Sequence, residues 1–245
     1  MSEFIYGRNE VLAYLKTNKT VKNVFVLRNA QFKEIDAILY QRNLNVHRVD
    51  KETLDKKVKG NHQGILVEID GFEYSDVNTI VNEAKNDLIV MLDQIEDPHN
   101  LGAVLRTADA SGVDGIIIGK HRSASLNATV AKVSTGAIHS VKVAQVTNLT
   151  QTIKELKDRG YWIVAAENGV DAIHYSDLNT QMPIVLVLGS EGKGISRLVK
   201  EASDILVTIP MHGSVNSLNV SVASGILLFD IVNRRGKDYQ KTIDK

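Results

Sequence analysis

Hydrophobic positions in the first 70 residues change period several times. In "GRNEVLAYLK", Val11, Leu12 and Leu15 share a helical face, and "VKNVFVL" is a β-branched run ending at Leu27. "FKEIDAILYQRN" puts Phe32, Ile35, Ile38 and Leu39 on one helical side. "NVHRV" predicts a short strand, "KETLDKKVKG" a short polar helix and "GILVEI" a further strand. The order α-β-α-β-α-β predicts a small α/β unit. A polar, turn-rich stretch follows, so a linker is expected near residues 71–76.

From Leu88 the alternation resumes with stronger strands. "LIVMLD" and "PIVLVLG" are continuous apolar runs, the pattern of parallel strands buried on both faces. "GIIIG", "VKVAQV", "YWIVAA" and "ILVTIP" are further strands. In "NLGAVLRTADASG", Leu101, Val104, Leu105 and Ala108 follow helical spacing, with Gly112 as the stop. "NATVAKVSTGA" predicts one helix, "NLTQTIKELKDRG" another ending at Gly160, and "GISRLVKEA" a third. The last helix, Val220 to Ile231, is apolar nearly all round. Together these predict an open α/β parallel sheet with helices on both faces. The expected organisation is a first domain over 1–71, a linker and first helix over 72–86, a second domain over 87–236 and a frayed tail over 237–245.

Composition narrows the class. The chain has 245 residues, 43% apolar and 24% charged, with no cysteine, which excludes disulfides, thiolate metal sites and cysteine nucleophiles. No ligand cluster implies a metal. No leader pattern and no run near the ~20 apolar residues that span a bilayer is present, so a cytoplasmic protein is expected. The formal net charge is zero, which argues against a nonspecific polyanion binder. The charge is unevenly placed: residues 1–72 carry 12 Lys and Arg against 9 Asp and Glu, the remainder 17 against 20. This permits nucleic-acid contact by the first part without requiring it.

In open α/β sheets ligands bind beyond the carboxyl ends of strands, which singles out "DQIEDPHN", "GSEGKG" and "PMHGSVNS". Several chemistries are excluded there. "GKGISR" has Arg197 where a dinucleotide fingerprint needs its third glycine, and Gly194 follows Lys193 where a P-loop needs Ser or Thr. There is no G-x-S-x-G elbow and no HExxH pair. Asn100 reads either as the N-cap of a helix starting at Leu101 or as a group facing a pocket. Arg106 either pairs with Asp109 or faces that same pocket. The glycines around Glu191 suit a flexible turn or a close backbone approach to a ligand. Ahead of the last helix stand Ser214, Asn216, Ser217 and Asn219, more than capping needs.

Taken together, "NLGAVLRTADASG", "LVLGSEGKGIS" and "IPMHGSVNSLNVSVASGILLFDI" resemble motifs 1, 2 and 3 of the SpoU/TrmH family of RNA ribose 2′-O-methyltransferases, within the SPOUT superfamily. All three occur in the family's order. The N-terminal "YGRNEVLAYL" and its basic α/β unit resemble the ribosomal-protein-like substrate-binding domain of the bacterial 23S rRNA guanosine 2′-O-methyltransferase subgroup.

The resemblance implies S-adenosylmethionine as cofactor, a C-terminal trefoil knot and a homodimer with C₂ symmetry. It assigns Asn100, Arg106, Glu191, Ser217 and Asn219 to catalysis, and Thr135, Gly136, Leu188, Gly189, Ile209, Met211 and Leu218 to the cofactor's surroundings. A guanidinium is effectively always protonated. The role expected of Arg106 is therefore to bind a phosphate and stabilise developing alkoxide charge rather than to act as a base. Glu191 is expected to orient Asn100 or Arg106. The RNA partner implied is 23S rRNA or a ribosomal precursor, with tRNA and a non-catalytic RNA-binding relative as alternatives. Arg8, Arg28, Arg42, Arg48, Lys16, Lys19, Lys22 and Lys33 are candidate phosphate contacts.

Overall fold

The computed structural model describes residues 3–17, 19–169, 171–190 and 192–236. Two compact units result, one formed by residues up to 73 together with 125–140, the other by 74–124 and the chain from 141 onward. The first begins with β1 (Glu3–Tyr6), α1 (Arg8–Leu15), β2 (Asn23–Leu27), α2 (Lys33–Gln41), β3 (Val46–Val49), α3 (Lys51–Lys57) and β4 (Ile65–Ile69). Its sheet order is β1-β4-β2-β3, with β4 antiparallel to β1 and β2, and β2 parallel to β3. β1 departs from the expected helix-first order: "EFIY" is too short to show a period, yet it buries Ile5 and pairs with β4 throughout. Alternate residues build the core, Val24 and Val26 from β2 and Ile65, Val67 and Ile69 from β4, against Val11, Leu15, Ile35 and Leu39 from the helices.

The chain continues through α4 (Val77–Asn82), β5 (Leu88–Asp93), α5 (Pro98–Ser111), β6 (Gly115–Gly119), α6 (Ala128–Ser134), α7 (Ala137–Ser140), β7 (Val143–Val146), α8 (Leu149–Asp158) and β8 (Trp162–Ala166). It ends with β9 (Ile173–His174), a 3-10 turn (Tyr175–Asp177), β10 (Ile184–Gly189), α9 (Arg197–Glu201), β11 (Ile205–Thr208) and α10 (Val220–Arg234). Seven strands form a parallel sheet in the order β7-β6-β5-β10-β8-β11-β9. All residues of β5 and β6 are buried, as their unbroken apolar runs require. β9 has only two residues and carried no sequence signal.

Two helix boundaries correct the sequence reading. α5 starts three residues before Leu101: Asp97 is its N-cap, accepting from the His99 N–H at 2.9 Å, and Pro98 occupies the first turn. Asn100 is thus inside the helix, not its cap. The single helix expected over 127–137 is broken at Thr135 and Gly136, both at positive φ, into α6 and α7.

α6 and α7 belong to the first unit although β6 and β7 flank them in sequence. α6 packs on β1. A Cβ on Gly136 would lie 2.7 Å from the Cβ of Ala13, so the close approach to α1 calls for glycine. His139 Nε2 stands 3.2 Å from Glu10 Oε1, and both side chains are buried. In the second unit, α10 packs chiefly on α5, burying Val220, Ser224, Leu227, Leu228 and Ile231. Val222 and Phe229 stay exposed on the same helix. No helix among the described residues is long and apolar enough to cross a membrane.

Candidate active site

A cavity of about 370 Å³ lies beyond the carboxyl ends of β8, β10 and β11. Leu188 and Gly189 bring β10 to it, Ala166, Glu167 and Asn168 continue β8, and Val207 belongs to β11. Ile209, Met211, Ser217 and Leu218 close it from the segment that leads into α10, and Val220 and Ala223 from α10 itself. Ser190, Gly192, Lys193 and Gly194 of the turn after β10, with Asn216, complete a wall that polar and apolar groups share.

The turn after β10 explains its own glycines. Ser190 and Gly194 exchange backbone hydrogen bonds of 3.1 and 2.9 Å, and Gly192 and Gly194 take positive φ. A Cβ on Gly189 would sit 2.3 Å from the Gly194 carbonyl carbon. The close approach that demands glycine is of the chain to itself. Buried Asp93, at the end of β5, accepts from the Ser196 N–H at 2.7 Å and ties the far side of this turn to the sheet.

The first and third motifs meet. Asn219 caps α10, its side-chain oxygen accepting from the Ser221 N–H at 2.9 Å, while its Nδ2 donates to Asn100 Oδ1 at 2.9 Å. One residue thus caps a helix and joins two segments 119 positions apart. Ser217 lines the cavity and is exposed. Asn216 contributes its carbonyl, which accepts from Asn168 Nδ2 at 2.7 Å, so this asparagine serves the neighbouring loop rather than the cap. Gly213 has a negative φ and open space at its Cβ, so nothing in the described surroundings demands glycine there.

Arg106 is exposed on α5, and no salt bridge to it is found among the described residues. Glu191 lies outside the described residues. Thr135 and Gly136 belong to the first unit, where Thr135 ends α6 in the left-handed region at φ 50°, a strained conformation for a β-branched residue.

Glu167 and Asn168 escaped the sequence reading. They follow "YWIVAA" directly, so the strand-end rule that selected three loops would have selected this fourth one. Glu167 Oε1 accepts from Lys200 Nζ at 2.8 Å, while its Oε2 and the Ser190 hydroxyl are buried with no partner among the described residues. Unpartnered acceptors beside a cavity suit a ligand that brings its own donors.

The first unit's cations divide by what they already hold. Arg42 donates to the carbonyls of Leu15, Thr17 and Lys19 at 2.9, 2.9 and 2.7 Å, an internal structural role. Lys16 and Lys22 pair with Glu34 and Asp70, and Arg8 lies over the Phe32 ring. Lys33 and Arg48 share a cleft between α2 and β3.

The model of the SpoU rRNA Methylase family matches residues 87–229, and that of the RNA 2′-O ribose methyltransferase substrate-binding domain matches residues 4–75. A candidate TrmH family tRNA/rRNA methyltransferase of Staphylococcus haemolyticus is 44% identical over 238 residues, covering 94% of this chain and 95% of that protein. The SpoU methyltransferase AviRb of Streptomyces viridochromogenes, solved with AdoMet, superposes with a TM-score of 0.83 at 20% identity, covering 96% of this chain and 90% of its own. An AdoMet-bound rRNA methyltransferase of Sinorhizobium meliloti gives 0.81 at 24% identity, covering 95% and 87%. These two likenesses establish the fold. The chain belongs to the SpoU rRNA methylase family and carries its substrate-binding domain.

Proposed function

We propose that this family member transfers a methyl group from S-adenosylmethionine to the ribose 2′-hydroxyl of a guanosine in 23S rRNA. The observation that carries the reading is the Asn219–Asn100 hydrogen bond, beside a cavity walled by Leu188, Gly189, Ile209, Met211 and Leu218. Asn100 and Asn219 meet although they stand 119 positions apart, and Leu188, Gly189, Ile209, Met211 and Leu218 share one cavity wall. A module that only binds RNA has no need of this convergence.

The residues present fit the cofactor. Apolar side chains and main-chain edges suit an adenine, and the unpartnered Glu167 Oε2 and Ser190 hydroxyl offer acceptors to hydroxyl or ammonium donors. The cofactor supplies an electrophilic methyl on a sulfonium. Thr135 and Gly136 are assigned to its surroundings by the family's pattern alone.

The chain's own task is to place the ribose hydroxyl and accommodate its proton and charge. Arg106, free of internal ion pairs among the described residues, holds the neighbouring phosphate and stabilises the developing alkoxide. Asn100 and Asn219, already fixed to each other, orient the ribose together with Ser217, and Glu191 orients Asn100 or Arg106. Positioning of this kind supplies several kcal/mol of rate enhancement. Exposed Val222 and Phe229 on α10 are the surface we assign to a second copy in a C₂ homodimer. The protein works in the cytoplasm.

Calorimetry with S-adenosylmethionine tests the cavity: micromolar binding is expected, and no heat of binding would overturn the site. Labelled-cofactor transfer to rRNA and to tRNA, followed by primer extension at low nucleotide concentration, locates the modified ribose. A tRNA target is the second reading, favoured by the tRNA/rRNA description of the Staphylococcus haemolyticus relative.

A further inference from the structure

The first unit has an open cleft of about 920 Å³ between α2 and the edge strand β3. Six of its nine lining residues are polar or charged: Gln31, Lys33, Asp36, Tyr40, Asn43 and Arg48. Leu39, Leu44 and Val46 complete it. Such a lining is too polar for a groove that receives an apolar helix.

Tyr40 is 89% exposed. The other aromatic rings of this unit are already engaged. Phe25 is stacked with His47 and lies under Lys57, Phe4 meets Phe25 and Lys57, Phe32 lies under Arg8, Tyr6 under Lys132, and Tyr14 and Phe72 meet His139. Among the described Phe and Tyr side chains of the unit, Tyr40 is the one with neither a ring nor a cation against it. Holding a phenol ring in water brings no folding stability, so its contribution is sought in what it meets.

Around it stand groups that an RNA strand requires. Arg48 is held in place, donating to the Ala30 carbonyl at 2.6 Å and lying 3.9 Å from Asp36. The Asp36 carboxylate also accepts from the Phe32 N–H at 2.8 Å, so part of its capacity is spent on the chain itself. Lys33 adds a second cation, and Gln31 and Asn43 add amides able to read a base edge. Unpaired bases stack on aromatic side chains whereas the bases of a duplex are hidden, so the occupant of such a cleft is single-stranded.

We propose that the α2–β3 cleft captures an unpaired nucleotide of the RNA substrate, with Tyr40 stacked on its base and Lys33 and Arg48 on its phosphates. This rests on the reading of the chain as an RNA methyltransferase and adds where the substrate is held away from the reacting ribose.

The test uses the full chain, a short fluorescein-labelled single-stranded RNA of mixed sequence, and the same strand annealed to its complement. By fluorescence anisotropy, Tyr40→Ala weakens single-strand binding about tenfold, while Tyr40→Phe, which keeps the ring, stays within about twofold of wild type. Duplex binding changes less than about twofold, and calorimetric S-adenosylmethionine binding is unchanged. In turnover, Tyr40→Ala raises KM for RNA and spares kcat. Single-strand binding by Tyr40→Ala equal to wild type, or a loss in Tyr40→Phe as large as in Tyr40→Ala, overturns the proposal. If the wild-type protein methylates RNA but Tyr40→Ala binds normally, the cleft fails and the activity stands. If no RNA is methylated yet Tyr40→Ala loses binding, the activity fails and the cleft stands.

Discussion

The two ends of α10 are held in different ways. At its C-terminal end Arg234 donates to the carbonyls of Tyr175, Ser176 and Leu178 at 3.1, 2.9 and 2.8 Å, and pairs with Asp230. Arg235 donates to those of Thr180 and Met182 at 2.6 and 2.7 Å and to that of Asn86. At its N-terminal end the helix meets exposed polar residues, Asn216, Ser217 and Asn219, with one side chain reaching Asn100. One end is pinned by charge-assisted bonds to main chain, which cannot slide or rotate away. The other presents Asn216 and Ser217 to a cavity. Anchoring at a distance lets the site be both placed and available.

Substitutions can separate these roles. Arg106→Ala, on α5, is expected to lower methyl transfer at least a hundredfold while the thermal midpoint stays at the wild-type value. Near-normal turnover in the folded variant would reject the assignment. Arg235→Ala, at the pinned end, should cost about 3 kcal/mol of stability, read by urea denaturation, with the remaining folded protein still active. If it lost activity without losing stability, the two ends would not be separable. Asn219→Ser sharpens the division: a serine still caps the helix, but its shorter side chain loses the amide that donates to Asn100. Stability should hold while kcat falls about tenfold. The smallest effect is expected from alkali. Burial, with the charges of Asp87 and Asp114, pushes the Tyr161 phenol up to about 12, and burial does the same at Tyr14. Unfolded phenols ionise near pH 10 while the folded ones keep their protons, so stability is full below about 10 and is lost as pH rises towards 12. Denaturation midpoints at pH 9 and pH 11 check this. Asp87 also borders the Arg235 anchor, its phenol partner Tyr161 lying 3.4 Å away, so loosening should begin at the pinned end.

Burial explains which parts of the fold were readable. β5, β6 and β10 announce themselves because both faces are covered, which leaves an apolar run that no surface element shows. β1 and β9 are short strands whose pairing partners lie far along the chain, and four or two residues carry no period. The start of α5 is ambiguous in sequence because "DPHN" offers two residues able to cap, and the proline favours the earlier one. A knot is a property of the path rather than of any local pattern, so only the resemblance implied it. Within the site, the surplus of polar residues before α10 was legible as surplus. Its meaning was not, because the Asn219–Asn100 bond joins segments that only the fold brings together. Glu167 and Asn168 belong to no motif, and only their place directly after β8 marks them.

The segment 125–140 carries a consequence for how the protein is made. The first unit takes its last piece, with His139 against Glu10 and Gly136 against α1, from between two strands of the second. During synthesis the N-terminal residues would ordinarily fold first, as an independent body. Here that body is completed only after β5 and β6 have left the ribosome. The apolar core of the early half is complete by Phe72, so what arrives late is the buried Glu10–His139 contact and the packing of α6 on β1.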